Sequence, residues 1–165
     1  MTESEVEIIR DSQEIDTRIA ALVHMADRRF GVLKIDVASP FAGKKEDFAW
    51  GLLPTGERLE LFSDIKKIVQ KAVDDIDNIS ERPDAAILPD PDSKKPKTLK
   101  EIFPIAVRDL ANAAARYRPV LAKELDTPTD QNQRGVILNI LDNCDQILEA
   151  VKKLPPETTK QKKKN

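Results

Sequence analysis

Apolar residues return at steps of three, four or seven along four stretches of the chain, the spacing that lines one face of an α-helix. Between residues 5 and 33 the stripe is Ile8, Ile15, Ile19, Leu22, Ala26, Phe30 and Leu33, and Ser4 with Glu7 has capping-box spacing at its start. Between 56 and 80 it is Phe62, Ile65, Val69, Ala72, Ile76 and Ile79, with Thr55 as N-cap and Pro83 enforcing a stop soon after Ser80. Between 99 and 125, Leu99, Phe103, Ala106, Leu110, Ala113, Tyr117 and Leu121 follow a Thr98–Glu101 capping pair. Pro104 and Pro119 fall inside this stretch, so the pattern predicts a main helix near 104–117 with bends at both ends. Between 128 and 154, Ile137, Ile140, Cys144, Ile147 and Val151 keep to one side, and Asp142, Asp145, Glu149, Lys152 and Lys153 to the other. Thr127 as N-cap and Pro128 at the first helical position open that helix, and Pro155 and Pro156 end it.

Each such helix needs a partner for its apolar stripe, and burying the stripes against one another is the simplest solution. The predicted fold is all-α, an antiparallel bundle of about four helices, with one domain over 1–154 and a disordered lysine-rich tail over 155–165. Two connections are long. Residues 34–54 hold the aromatic-richest stretch, with Phe41, Phe48 and Trp50 beside Leu52 and Leu53; residues 81–97 are proline-rich and charged. Loops of this length are uncommon in compact domains and often carry function; the aromatic one either folds back and plugs one end of the bundle, which the need to cover Leu52 and Leu53 favours, or presents anchors to a partner. Residues 31–37 (GVLKIDV) have the composition of a short strand without an evident partner.

Composition agrees with helices. The chain has 165 residues, enough for a core without disulfides or metals, and its 34% charged and 4% aromatic content suits helical faces better than sheets. A net charge of −2 gives no general nucleic-acid footprint. The charge is uneven, however: residues 1–16 are acidic, whereas Lys160, Lys162, Lys163 and Lys164 crowd the last six positions. Cys144 stands alone, so no intrachain disulfide points to an oxidising compartment. The acidic start does not read as a signal peptide, and no apolar run approaches the ~18 residues of a membrane span. A cytoplasmic protein without membrane association is the expectation.

Several chemistries lack their residues. His24 is the only histidine, which removes the paired Glu-x-x-His ligands of di-iron bundles and leaves one Cys and one His for zinc. There is no G-x-S-x-G elbow and no glycine-rich phosphate loop. The sequence thus predicts no metal, no cofactor and no evident small-molecule site.

The features that remain point to binding. Arg18 and His24 stand in an R-x5-H spacing that resembles the R-x4–6-H motif of HEPN-type helical ribonucleases. That resemblance implies metal-free RNA cleavage in a dimer, with His24 as acid/base and Arg18 stabilising phosphate. The chain departs from the pattern in having Ile19 where a polar residue usually follows the arginine, and in carrying the motif in its first helical stretch. Helical geometry puts His24 opposite the Ile15–Ile19–Leu22–Ala26 stripe, hence facing solvent or a partner. Asp74, Asp75 and Asp77 fan around the outer half of their helix as a solvated or lysine- and arginine-paired face. Arg108, Arg116 and Arg118 beside Tyr117, with Lys162, Lys163 and Lys164 of the tail, could meet nucleic acid, although Tyr117 falls on the core stripe. Ile105, Val107, Ala111 and Ala115 lie off the main stripe of the third helix and suggest a central helix or a subunit interface.

The reading that follows is a non-enzymatic interaction module, a subunit or adaptor docking a protein partner or a second copy through Phe41, Phe48, Trp50, Ile105, Ala111 and Ala115. A nucleic-acid-binding subunit and a HEPN-like ribonuclease are the alternatives.

Overall fold

A computed structural model describes residues 1–41, 43–46, 48–81, 99–127 and 130–154. Among them are five α-helices, one single-turn 3₁₀ helix at Phe48–Trp50 and no strand. The helices are α1 (Glu3–Asp11), α2 (Ile15–Val32), α3 (Arg58–Glu81), α4 (Leu99–Leu125) and α5 (Gln131–Lys152). The all-α bundle expected from the stripes is present; the count differs because the first stretch is two helices.

The break lies at Ser12. Its hydroxyl donates to the Ile8 carbonyl, and its own N–H donates to Ile8 and Ile9, which closes the last turn of α1. The seven-residue step from Ile8 to Ile15 concealed this end, because Asp11 and Ser12 leave no apolar residue where a continuous stripe would need one. The start of α1 is capped by Thr2 rather than Ser4. The Thr2 hydroxyl accepts from Glu5 N–H, and the Glu5 carboxylate accepts from Thr2 N–H, a reciprocal capping box.

Other boundaries shift for similar local reasons. Asp130, not Thr127, caps α5, accepting from the N–H groups of Asn132 and Gln133. Helix α3 begins at Arg58, past Thr55 and Gly56. Residues 31–37 do not form a strand. Instead α2 runs to Val32 and ends in a Schellman motif, with Lys34 in the left-handed region at φ 62°. There Ile35 N–H donates to Phe30 and Lys34 N–H to Gly31. Pro104 and Pro119 both lie inside a single continuous α4. Each proline deletes one donor, and the buried stripe of Ile102, Ala106, Leu110, Tyr117 and Leu121 holds the rest of the ladder in place. Thr98 and the 82–98 connection lie outside the described residues, as do Pro128 and the tail from 155.

The four long helices pack in a ring: α2 against α3 and α4, and α5 against the same two. Ion pairs fix their directions. Arg18 at the start of α2 meets Asp75 late in α3, while Arg29 at the end of α2 meets Asp64 early in α3, so these two run antiparallel. Arg58 at the start of α3 reaches both Glu124 at the end of α4 and Gln133 at the start of α5. Among the described elements, helix α1 leans on α2 and on the 3₁₀ turn alone. The core is built of Ile15, Ile19, Leu22, Met25, Phe30, Phe62, Ile65, Ile102, Leu121, Ile137 and their neighbours. At roughly 1.5–3 kcal/mol per buried large side chain, this seam is the main source of stability.

Candidate functional site

The polar chemistry of the molecule collects at the C-terminal half of α2. His24, Asp27, Arg28 and Arg29 are all buried, although one helix face cannot hold them. They turn to three different neighbours.

Arg29 turns toward α1 and α3. Its Nη2 donates to Glu5 Oε2 at 2.8 Å, its Nη1 to Glu5 Oε1 at 2.9 Å and to the Met25 carbonyl, and its Nε to Asp64. Arg28 Nη1 reaches the same Glu5 Oε1 at 2.6 Å. Glu5 is therefore fully buried and clasped by two guanidiniums and the Thr2 N–H. Burial alone would raise its pKa, but the hydrogen bonds from Arg29, Thr2 and Arg28 and the Arg29 charge outweigh it, and the carboxyl is held below its ordinary value.

Asp27 turns toward α4. It accepts from Tyr117 Oη at 2.5 Å, from Arg116 Nη2 at 3.2 Å and from Ser39 Oγ at 2.8 Å. Burial and the Asp27 charge push the Tyr117 phenol well above its ordinary pKa, so it stays a donor. Arg116 also donates to the Val37 carbonyl, tying the segment after α2 to α4.

His24 and Arg28, four residues apart and so on one face, turn toward the 34–54 connection. Glu46 Oε2 lies 2.7 Å from His24 Nε2 and 3.0 Å from Arg28 Nε. The Phe41 and Trp50 rings meet the His24 ring edge-on, at centroid distances of 4.1 and 4.3 Å. His24 Nδ1 is buried without a hydrogen-bond partner. Arg28 Nη2 donates to the Leu52 carbonyl at 2.8 Å and more weakly to that of Gly51. Gly51 has φ +68° and lies so close to α1 that a Cβ there would stand 2.3 Å from Ser4 Oγ. Only glycine meets both conditions. The buried arginine and the glycine together fix the turn that follows Trp50.

Between α2 and this connection lies a cleft of about 810 Å³, bounded among others by His24, Arg28, Val32, Ile35, Phe41 and Trp50. Nothing in the local sequence pattern marks it, because its walls meet only once the 34–54 connection has folded back over α2.

Compared with protein-family models, with curated proteins and with solved structures, the chain matches none.

The residues singled out from sequence fare unequally. His24 does not face solvent: the connection folds over the face opposite the core stripe and buries it. Arg18 is not beside it; Arg18 donates to Asp75 and to the Ser12 carbonyl, at the far end of α2. Asp74 accepts from Gln70, and Asp75 from Arg18 and Lys71. No group of three metal-ligating side chains converges among the described residues. Arg116 is engaged by Asp27, and Arg118 by Asp145 on α5, so these two arginines face different directions. Arg108 also has a partner. Lys162, Lys163 and Lys164 lie outside the described residues.

The expected second face of α4 is mostly core. Ala111 and Val107 are buried, so Ala111 cannot contact a partner, and Ile105 at 44% exposure and Ala115 are scattered surface positions. Cys144 is buried, and burial pushes its thiol up to about 12, which makes it a packing residue rather than a nucleophile. In the connection, Trp50 is half-buried against the core, Phe41 is half-exposed and Phe48 is open to solvent. No helix among the described residues is long and apolar enough to cross a membrane.

Proposed function

We propose that this protein is a helical interaction module that docks a protein partner through the outer edge of its 41–53 connection. The observation that carries this reading is the exposure of Phe48 (97%) and Leu52 (88%) on a turn held by buried groups. Scattered apolar side chains on a surface need no explanation, but Phe48 and Leu52 stand almost wholly exposed within five residues on one pinned turn. Arg28, anchored by Glu5, grips the carbonyls beside Leu52, while Trp50 is seated inward. The turn is thus ordered before a partner arrives, and docking avoids the entropy of ordering it. Exposed aromatic anchors surrounded by fixed backbone are the usual centres of binding energy.

A library of random peptides panned on the protein tests this. The wild type is expected to enrich segments bearing Leu, Phe or Trp, and the double variant Phe48→Ser/Leu52→Ser should lose them while keeping the wild-type melting curve. Equal enrichment on both proteins removes the reading. Sedimentation velocity on the same pair separates a foreign partner from a second copy, since self-docking would make the wild type alone associate with concentration.

A further inference from the structure

The inner side of the same connection suggests a second, separate site. We infer that the cleft between α2 and residues 34–53 binds a small amphiphilic anion, a molecule with an apolar body and one carboxylate or similarly charged end. The volume, about 810 Å³, lies within the range of small-molecule sites. Val32, Ile35, Phe41, Trp50 and Leu53 supply apolar wall for the body.

The charges decide the sign of the head group. Three acids border the cleft, and two of them are held in ion pairs. Asp27 is taken by Tyr117, Arg116 and Ser39, and Glu46 by His24 and Arg28, whereas the exposed Asp36 accepts from the Ala38 N–H and is in no ion pair among the described residues. Three lysines border it as well, Lys34, Lys44 and Lys45, and their ammonium groups make no ion pair among the described residues. Among the described residues the rim carries three ammonium groups outside any ion pair against one such carboxylate, that of Asp36, and this net positive charge favours an anion over a cation. Lys34 is held at this rim by the left-handed turn that ends α2. The wall also contains His24, whose buried Nδ1 lacks a hydrogen-bond partner.

Trp50 is the only tryptophan, so its fluorescence reports on this cleft alone. Decanoate and 4-phenylbutyrate, titrated below micellar concentrations, distinguish an alkyl from an aryl body. At least one is expected to shift Trp50 emission saturably, and decyltrimethylammonium should not. Lys44→Glu/Lys45→Glu and Lys34→Glu should each raise the half-saturating concentration tenfold or more, while Lys67→Glu, on the exposed side of α3, leaves it unchanged. The inference is overturned if neither acid saturates, if the cationic amphiphile binds as well as the acids, or if the rim reversals leave the midpoint where it was. Phe48 and Leu52 do not line the cleft, so the peptide experiment can fail without touching this one, and the reverse.

Discussion

Two of the ion networks that cross between helices in this protein differ in what water can do for them. Glu5 joins Arg28 and Arg29 where α1 meets α2, and all three side chains are almost wholly shielded. Arg118 joins Asp145 where α4 meets α5, and both side chains are about half exposed. The distances are similar, 2.6–2.8 Å in the first and 2.5 Å in the second, so geometry alone would rank them together. Burial separates them. A buried charge that loses its partner has no solvent to turn to, whereas an exposed one exchanges a partner for water. The first network is consequently a structural hub whose failure should spread to the 41–53 connection, and the second is a local surface pairing.

The comparison is tested hardest by removing the shared carboxylate. Glu5→Ala takes the shared carboxylate from two buried guanidiniums, leaving Arg29 only the half-exposed Asp64 and Arg28 only Glu46, and is expected to cost up to about 3–5 kcal/mol, read as a shift of the urea midpoint. Because Arg28 also holds the Leu52 carbonyl, the same variant should speed proteolysis between Phe48 and Leu53 under native conditions. A loss below about 1 kcal/mol would mean that the hub is no stronger than a surface pair.

A smaller effect comes from protonating the same group. The folded-state pKa of Glu5 is depressed, so its contribution is complete above the ordinary glutamate range and is lost as pH falls through the folded value. Asp109 works in the other direction: burial and the charge of Asp16 raise its pKa, so its contribution grows as pH falls. The difference between wild type and Glu5→Gln removes that background. The stability gap between the two is expected to be widest near neutrality and to close under acid conditions. A gap that stays constant with pH would show that Glu5 acts through packing rather than charge.

The same contrast explains what the sequence revealed. The stripes Phe62–Ile79 and Ile137–Val151 announce α3 and α5 because an apolar repeat records burial against any partner, whichever helix supplies it. The run Asp27–Arg28–Arg29 followed by Phe30 carried a different message, three charges on a buried helix, and periodicity reads such residues as surface. Their partners Glu5, Asp64, Glu46 and Arg116 lie on four other segments, and no local spacing connects them. His24 shows this most clearly. Its position opposite the core stripe was legible; its burial required the 34–54 connection to fold back, which depends on Arg28 meeting the Leu52 carbonyl and on Gly51 clearing Ser4. Phe48, by contrast, was singled out as an aromatic in a long loop and is indeed exposed, but nothing in the sequence set it apart from Trp50, which faces inward.

The smallest expected effect sharpens the comparison from its other side. Arg118 Nε donates to Asp145 Oδ1, and that hydrogen bond together with the arginine charge lowers the aspartate pKa. A lowered pKa is ordinarily a sign of stabilisation, so the pair looks important on paper. Both groups stand in water, however, and at physiological ionic strength a screening length of about 8 Å weakens surface fields. Holding two long side chains in one geometry also costs rotamer entropy that offsets what attraction remains. Asp145→Asn is therefore expected to leave the urea midpoint unchanged at 0.15 M salt, an ionic strength at which exposed pairs are already screened. Lowering the salt should reveal any residual contribution, and raising it should not alter the Glu5 result. If Asp145→Asn instead shifts the midpoint as far as Glu5→Ala does, exposure is not what divides the two networks, and the hub at α1 and α2 loses its special standing.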